Sequence, residues 1–170
     1  VLIQVKACGV CGTDVHIYGG AQGATECNPP VILGHEFSGV VTQVGSAVTR
    51  VKVGDHVTVN PNISCDACDQ CRRGNPHFCD SMAATGVNYD GGFAEYCLVP
   101  SDWHFVESTN PNLSDDALAM VEPCTVAQHA IRKSGLTAGQ NLLVFGAGPI
   151  GQMAARWGKI FGASTVVLVD

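Results

Sequence analysis

The chain has 170 residues, 15 acidic against 9 basic side chains, a formal charge of −6, 46% hydrophobic and 14% charged residues. An average soluble domain carries about 25% charged residues, so this composition describes a core-forming globular chain and excludes a disordered one. The acidic balance, with no basic cluster larger than Arg72-Arg73, excludes the basic stripe of a nucleic-acid binder, and no apolar run reaches the roughly 18 residues of a membrane helix.

In chain order, Val1-Leu2-Ile3-Gln4-Val5-Lys6 alternates as a strand from the first residue, and Thr165 to Val169 is an apolar strand followed by Asp170. Strands at both ends would be left without neighbours, which leads us to expect an internal piece of a longer polypeptide. Runs 37–45 and 51–59 are rich in Val, the second turned at its centre by Gly54-Asp55, and a strand is expected over 93–99 between Gly91-Gly92 and Pro100. Short strands with Gly and Pro punctuation predict an all-β, barrel-like unit up to about residue 107. The texture then changes. Ser114 is placed as an N-cap with Asp115 and Asp116 in the first turn, helical character runs to Met120, restarts after Pro123 and ends at Gly135. A strand over 141–145, a helix over 149–161 with Ile150, Met153, Ala154, Trp157 and Phe161 facing a sheet, and the final strand make one βαβ unit of the doubly wound type.

Nine cysteines are an odd count, and four of them, Cys65, Cys68, Cys71 and Cys79, are crowded into C-x2-C-x2-C-x7-C. This points to metal thiolates in a reducing compartment rather than a disulfide framework. Two residues between thiolates let a tight turn aim both sulfurs at one ion, and four sulfurs close a tetrahedral, structural zinc shell. An iron-sulfur cluster is the rival, but bacterial ferredoxins place the fourth Cys after three residues and follow it with Pro, whereas here Asp80 follows. A second, open site is suggested by Cys11 together with Gly34-His35-Glu36: sulfur, nitrogen and oxygen donors that leave a position for water or substrate. Glu122, in an apolar helical context, is a fourth ligand or a partner of the metal's water.

Gly146-Ala147-Gly148-Pro149-Ile150-Gly151 matches G-x-G-x-x-G in the right setting: it follows a strand and opens a helix, and Asp170 ends the next strand 19 residues after Gly151. The glycines make the turn, let the backbone approach a pyrophosphate and allow close packing, while the helix N-terminus faces the phosphates. Asp170 would accept from ribose hydroxyls and repel a 2′-phosphate, favouring NAD over NADP. The other cysteines (Cys8, Cys27, Cys97, Cys124), the histidines His56, His77, His104 and His129, and the tryptophans Trp103 and Trp157 are expected to be structural.

Cys-Gly-Val-Cys-Gly-Thr-Asp, Gly-His-Glu, the four-cysteine loop, Asp90-Gly91-Gly92-Phe93-Ala94-Glu95-Tyr96, Glu122-Pro123 and Gly-Ala-Gly-Pro-Ile-Gly follow one another over the whole chain. In this order they resemble the zinc-dependent medium-chain alcohol dehydrogenases, most closely the sorbitol or polyol branch, in which Glu122-Pro123 stands where the alcohol dehydrogenases proper usually offer Cys. The resemblance implies a mixed fold: a GroES-like β-barrel catalytic domain over 1–123 and the first βαβ of a Rossmann domain over 124–170, each incomplete. It implies Cys11, His35, Glu36 and Glu122 at a catalytic zinc, Cys65, Cys68, Cys71 and Cys79 at a structural zinc, and thus two zincs per full-length subunit. Thr13 would take the substrate proton, His16 pass it to solvent, and Asp14 orient a ligand imidazole. Gly146, Gly148, Pro149, Ile150, Gly151 and Asp170 would hold NAD. The implied reaction is hydride transfer from a secondary alcohol of a small polyol to NAD, giving a ketose, in a cytoplasmic homo-oligomer, dimer or tetramer, with the 170 residues alone inactive. Threonine, butanediol and sugar-alcohol-phosphate dehydrogenases are alternatives of the same chemistry; a non-catalytic relative that binds zinc and nucleotide is the alternative of another class.

Overall fold

In the computed structural model, which describes residues 1–21, 26–100, 104–110 and 112–170, the alternating opening segment forms strand β1 (Leu2–Gly9) with Ile3 fully buried. β1 pairs antiparallel with β2 (Glu36–Gln43), Ile3 opposite Val41 and Gly9 opposite Glu36. With β3 (His56–Val59), β6 (Tyr96–Leu98) and β7 (Phe105–Glu107), these strands make a five-stranded sheet of order β6-β1-β2-β3-β7. A two-residue pair, β4 (Asn62–Ile63) with β5 (Ala83–Ala84), brackets the cysteine loop, which holds the short helix α2 (Asp69–Arg72) and a 3₁₀ turn at Pro76–Phe78. Ile3, Phe37, Val41, Val57, Val59, Cys97, Val99 and Phe105 form the core of this first compact unit, Val1–Met120.

Two expected strands are shorter than their apolar runs. In the run 51–59 only His56–Val59 is extended, because Gly54 turns the chain at φ +94 and the Asp55 carboxylate accepts from the Lys52 backbone N–H at 2.8 Å and from the Lys52 ammonium. In 93–99 only Tyr96–Leu98 joins the sheet, because the Gly92 and Phe93 amides bond instead to the carbonyls of Gly34 and Leu33. A helix that was not expected, α1 (Gly12–Tyr18), occupies the Gly-Thr-Asp-Val-His segment. It spans only about two turns, too few for a periodic signal. Ser114 caps α3 (Asp115–Ala119) as expected, its hydroxyl accepting from the Ala117 N–H at 3.2 Å.

The second unit comprises Val121–Asp170. Helix α4 runs over Val121–Lys133 and does not restart after Pro123, because a proline in the first turn forfeits no intrahelical hydrogen bond. Strands β8 (Asn141–Phe145) and β9 (Thr165–Val169) pair in parallel around the crossover helix α5 (Pro149–Ile160). Ala127, Ile131 and Ala154 are its buried core, with Leu142, Val144, Met153, Trp157 and Phe161 packed on it; Ile150, expected on that face, is 41% exposed. Trp157 meets Phe161 edge-on at 6.0 Å and donates its indole N–H to the Cys124 carbonyl at 3.1 Å. The expectation for Trp103 lies outside the described residues, among which no helix is long and apolar enough to cross a membrane.

The Asp55 carboxyl, whose side chain is 6% exposed, is held below its ordinary range, chiefly by the hydrogen bond from the Lys52 ammonium. A carboxyl depressed in the folded state adds stability above its unfolded pKa, and that contribution is lost as pH falls through the folded one. Asp55→Asn is therefore expected to lower the urea midpoint at neutral pH, with the gap to the parent closing as pH drops below about 4.

Candidate functional site

Three residues from two segments converge in the first unit. Cys11 is the N-cap of α1, while His35 and Glu36 sit at the entry to β2, and their donor atoms all lie within 4.8 Å of one another. What brings the segments together is Asp14, a carboxylate 3% exposed at the third position of α1. One oxygen accepts from the Cys11 N–H at 2.8 Å and the other from the Gly34 N–H at 3.2 Å. The same Oδ1 stands 3.5 Å from Nδ1 of His35, which is buried and has no hydrogen-bond partner in this arrangement. The carboxylate thus lies beside the imidazole.

Gly34 is required at the junction. Its φ is +95, and a Cβ there would come within 2.8 Å of the Phe93 ring and 2.9 Å of Cys8 Sγ. Burial pushes the Cys11 thiol up, while the backbone and side chain of Thr13 oppose that push by hydrogen-bonding its sulfur. Thr13 is half-buried and His16 exposed, one helical turn apart on the same side of α1. A cleft of about 380 Å³ opens beside Glu36, lined also by Lys6, Cys8, Asp116 and Met120. Cys8, expected to be a plain core thiol, belongs to this wall; its own burial, with the charge of Asp14 adding, pushes its pKa up to about 12, so it stays protonated. Glu122 lies in the second unit, in the first turn of α4, with its carbonyl accepting from the Thr125 hydroxyl at 2.7 Å.

The four-cysteine loop is a self-contained cluster. The sulfurs of Cys65, Cys68, Cys71 and Cys79 lie within 4.8 Å of one another, and those of Cys68 and Cys71 are 3.5 Å apart. Thiolates at about 2.3 Å from a tetrahedral zinc stand roughly 3.8 Å apart, so the spacing fits. Backbone amides are aimed at the sulfurs: Cys68 N–H to Cys65 at 3.3 Å, and Cys65 and Ser81 N–H to Cys79 at 3.2 and 3.3 Å. Such donors favour thiolates. The amide of Ala67, then that of Cys68, lowers the Cys65 pKa to about 7, whereas desolvation raises Cys71 to about 12. Asp66, between Cys65 and Cys68, takes the left-handed conformation at φ +54 that folds the loop back.

In the second unit the Gly146–Gly151 turn joins β8 to α5. Gly146 has φ +94 and donates to the Val169 carbonyl at 2.7 Å, Gly148 is the N-cap, and Pro149 occupies the first helical position. A Cβ on Gly151 would strike the Gly146 carbonyl, so the third glycine serves the turn itself, while close packing on β8 falls to Gly158 against Leu142. Ala147 is tied twice: its N–H donates to Asp170 Oδ1 at 2.9 Å and its carbonyl accepts from Gln152 Nε2 at 2.8 Å. Asp170 therefore props the turn through its Oδ1. Sequence reading did not single out Gln152, because a polar residue after the last glycine carries no signal until the turn is folded.

Residues 1–109 match the alcohol dehydrogenase GroES-like domain family. D-xylulose reductase A of Aspergillus oryzae is 41% identical over 172 residues, covering 100% of this chain and 48% of that protein. Among solved structures, a Sinorhizobium meliloti protein bound to NADP superposes with TM-score 0.92 at 40% identity, covering 99% of this chain and 48% of that one. Galactitol-1-phosphate dehydrogenase from Escherichia coli superposes with TM-score 0.89 at 31% identity over 99% of this chain and 47% of that one. The chain spans about half the length of the curated relatives it matches.

Two outcomes are expected. Removing Asp14 strands two amides, so Asp14→Ala should cost about 1–3 kcal/mol in urea unfolding and weaken metal at Cys11, His35 and Glu36 about 10- to 100-fold, with Asp14→Asn, which keeps one acceptor, intermediate. In metal-free protein, iodoacetamide should label Cys65 first, at a rate rising through pH about 7, and Cys71 slowly, as read by peptide mass mapping.

Proposed function

Because this chain belongs to the zinc-dependent medium-chain alcohol dehydrogenase family, which it matches through the GroES-like domain, we propose that it carries the zinc-binding half of an oxidoreductase that converts a secondary alcohol of a small polyol to a ketose with NAD. The observation that carries this reading is the convergence of Cys11, His35 and Glu36 around a buried Asp14, with Thr13 and His16 on the helix that Asp14 caps. The donor set has one sulfur, one nitrogen and one oxygen, and the orphaned buried Nδ1 of His35 fits an imidazole whose other nitrogen is committed to a metal. When bound, zinc supplies a Lewis acid that makes an alcohol hydroxyl easier to deprotonate, and the nicotinamide supplies the hydride acceptor.

The chain's own residues divide the remaining tasks. Cys11, His35 and Glu36 would hold the metal. Thr13 Oγ1 receives the hydroxyl proton and hands it along α1 to the exposed His16 ring, which exchanges with solvent. Cys65, Cys68, Cys71 and Cys79 would hold a structural zinc. The second unit is read as the opening βαβ of a Rossmann domain, supported by the parallel β8–β9 pair and its crossover helix. Gly146, Gly148, Pro149, Ile150 and Gly151 would seat the pyrophosphate at the start of α5, and the Asp170 carboxylate, which also holds the Ala147 N–H, would accept from the ribose and repel a 2′-phosphate. Relatives named as a xylulose reductase and a galactitol-phosphate dehydrogenase support a polyol-type substrate. Their roughly doubled length supports the expectation that these residues work within a longer polypeptide.

The complete polypeptide, supplied with NAD and a panel of xylitol, sorbitol, galactitol and butanediol, is expected to form NADH, faster with NAD than with NADP. Thr13→Val should lower kcat by about 10²–10⁴ with zinc content unchanged at two per chain. One zinc per chain, held by the four cysteines, with NAD bound but no alcohol oxidised, would establish the non-catalytic reading instead.

A further inference from the structure

The segment Asp90-Gly91-Gly92-Phe93 carries none of the roles assigned above, yet it grips the stretch that delivers His35. The Gly91 N–H donates to the Ile32 carbonyl at 2.8 Å, Phe93 N–H to Leu33 at 3.0 Å, and Gly92 N–H to Gly34 at 2.8 Å. Three consecutive carbonyls just before His35 are thus held by three consecutive amides. The crossing is too close for side chains: a Cβ on Gly86 or Gly91 would strike the Gly34 carbonyl, and one on Gly92 would lie 2.7 Å from the Phe37 ring. The Gly34 peptide is consequently fixed at both ends, its N–H by Asp14 at 3.2 Å and its carbonyl by Gly92. The imidazole and carboxylate of the next two residues inherit that placement.

The Asp90–Phe93 segment adds a side-chain tie to these backbone ones. Asp90 Oδ1 accepts from the Ile32 N–H at 2.8 Å, across 58 residues of sequence. Asp90 is itself anchored, because the buried Cys97 thiol on β6 donates to its carbonyl at 3.4 Å. A continuous path therefore runs from the sheet core through Cys97 and Asp90 to Ile32, Gly34 and His35.

We propose that Asp90 is a positioning residue for the Cys11–His35–Glu36 metal site, setting the reach of His35 and Glu36 by pinning Ile32. This rests on the reading of those three donors as a zinc site. Asp90 is exposed and reaches the donor segment through the Ile32 N–H, so its proposed contribution is the hydrogen bond it accepts and not its charge. An amide oxygen at the same atom would serve equally.

The test is cobalt(II) exchange into the complete polypeptide, parent against Asp90→Ala and Asp90→Asn, with ligand-field spectra recorded during titration by a chelator. The four-thiolate loop, local to residues 65–79, serves as the internal control for folding. Asp90→Ala is expected to shift the bands of the mixed sulfur, nitrogen and oxygen site and to weaken cobalt there about 10- to 100-fold, with the thiolate bands unmoved. Asp90→Asn is expected to restore the parent spectrum. The proposal is overturned if Asp90→Ala keeps parental bands and affinity at both sites, if it loses both together, or if Asp90→Asn behaves like the alanine. A parent protein that takes cobalt only at the four thiolates would overturn the reading of the donor set itself, a result separable from all three by its appearance before any substitution.

Discussion

The buried carboxylate of Asp14 is the interaction on which the first unit's chemistry depends. It satisfies two amides that would otherwise be stranded, one at the N-terminus of α1 and one in the loop before β2. In doing so it joins segments more than twenty residues apart and presents Cys11, His35 and Glu36 to one point. A carboxylate buried this deeply is tolerable only because both oxygens accept hydrogen bonds. The short helix owes its start to the same group, since Asp14 closes the backbone of its N-cap. Helix, loop and donor set therefore stand or fall together.

Around that carboxylate the packing is decided by what is missing from side chains. Gly34, Gly86 and Gly91 meet where no Cβ fits, which lets two stretches of backbone approach to hydrogen-bonding distance in a region that is not a regular sheet. This explains why the apolar run entering at Phe93 contributes so few residues to the five-stranded sheet: its first amides are committed to the loop before His35. Sheet pairing and site construction compete for the same backbone groups, and here the site takes those of Gly92 and Phe93.

The two sulfur-bearing sites differ in how far they reach along the chain, and legibility follows that difference. Cys65, Cys68, Cys71 and Cys79 lie within one loop, so their spacing alone announces a tetrahedral thiolate cluster, and the folded loop has the amide donors such a cluster needs. The glycine turn is equally local, and its strand, glycines and helix fall where the pattern places them. The open site is not local. Cys11 and His35-Glu36 are weak signals taken singly, joined in the sequence by their donor chemistry and by the company of the four-cysteine loop and the glycine turn, because what unites them in space is a carboxylate whose burial no pattern reveals. Helix α1 escaped for a related reason, being too short for periodicity and made by a cap.

What the sequence by itself determined is the chemistry on offer: a four-thiolate loop, a sulfur–nitrogen–oxygen donor set, a hydroxyl and an imidazole on one segment, and a glycine turn with an acid behind it. The thiolate loop and the glycine turn follow from residue identity at short separation, where the chain has little freedom to place them elsewhere; the mixed donor set follows from residue identity alone. Only the tertiary structure decided how donors from distant segments meet, that Asp14 serves both amides, that Asp90 reaches Ile32 across 58 residues, and that Asp170 props Ala147. The physical reason is that such contacts depend on close backbone approach and on the burial of polar groups. Both are properties of the packed fold, and neither leaves a periodic trace in the order of the residues.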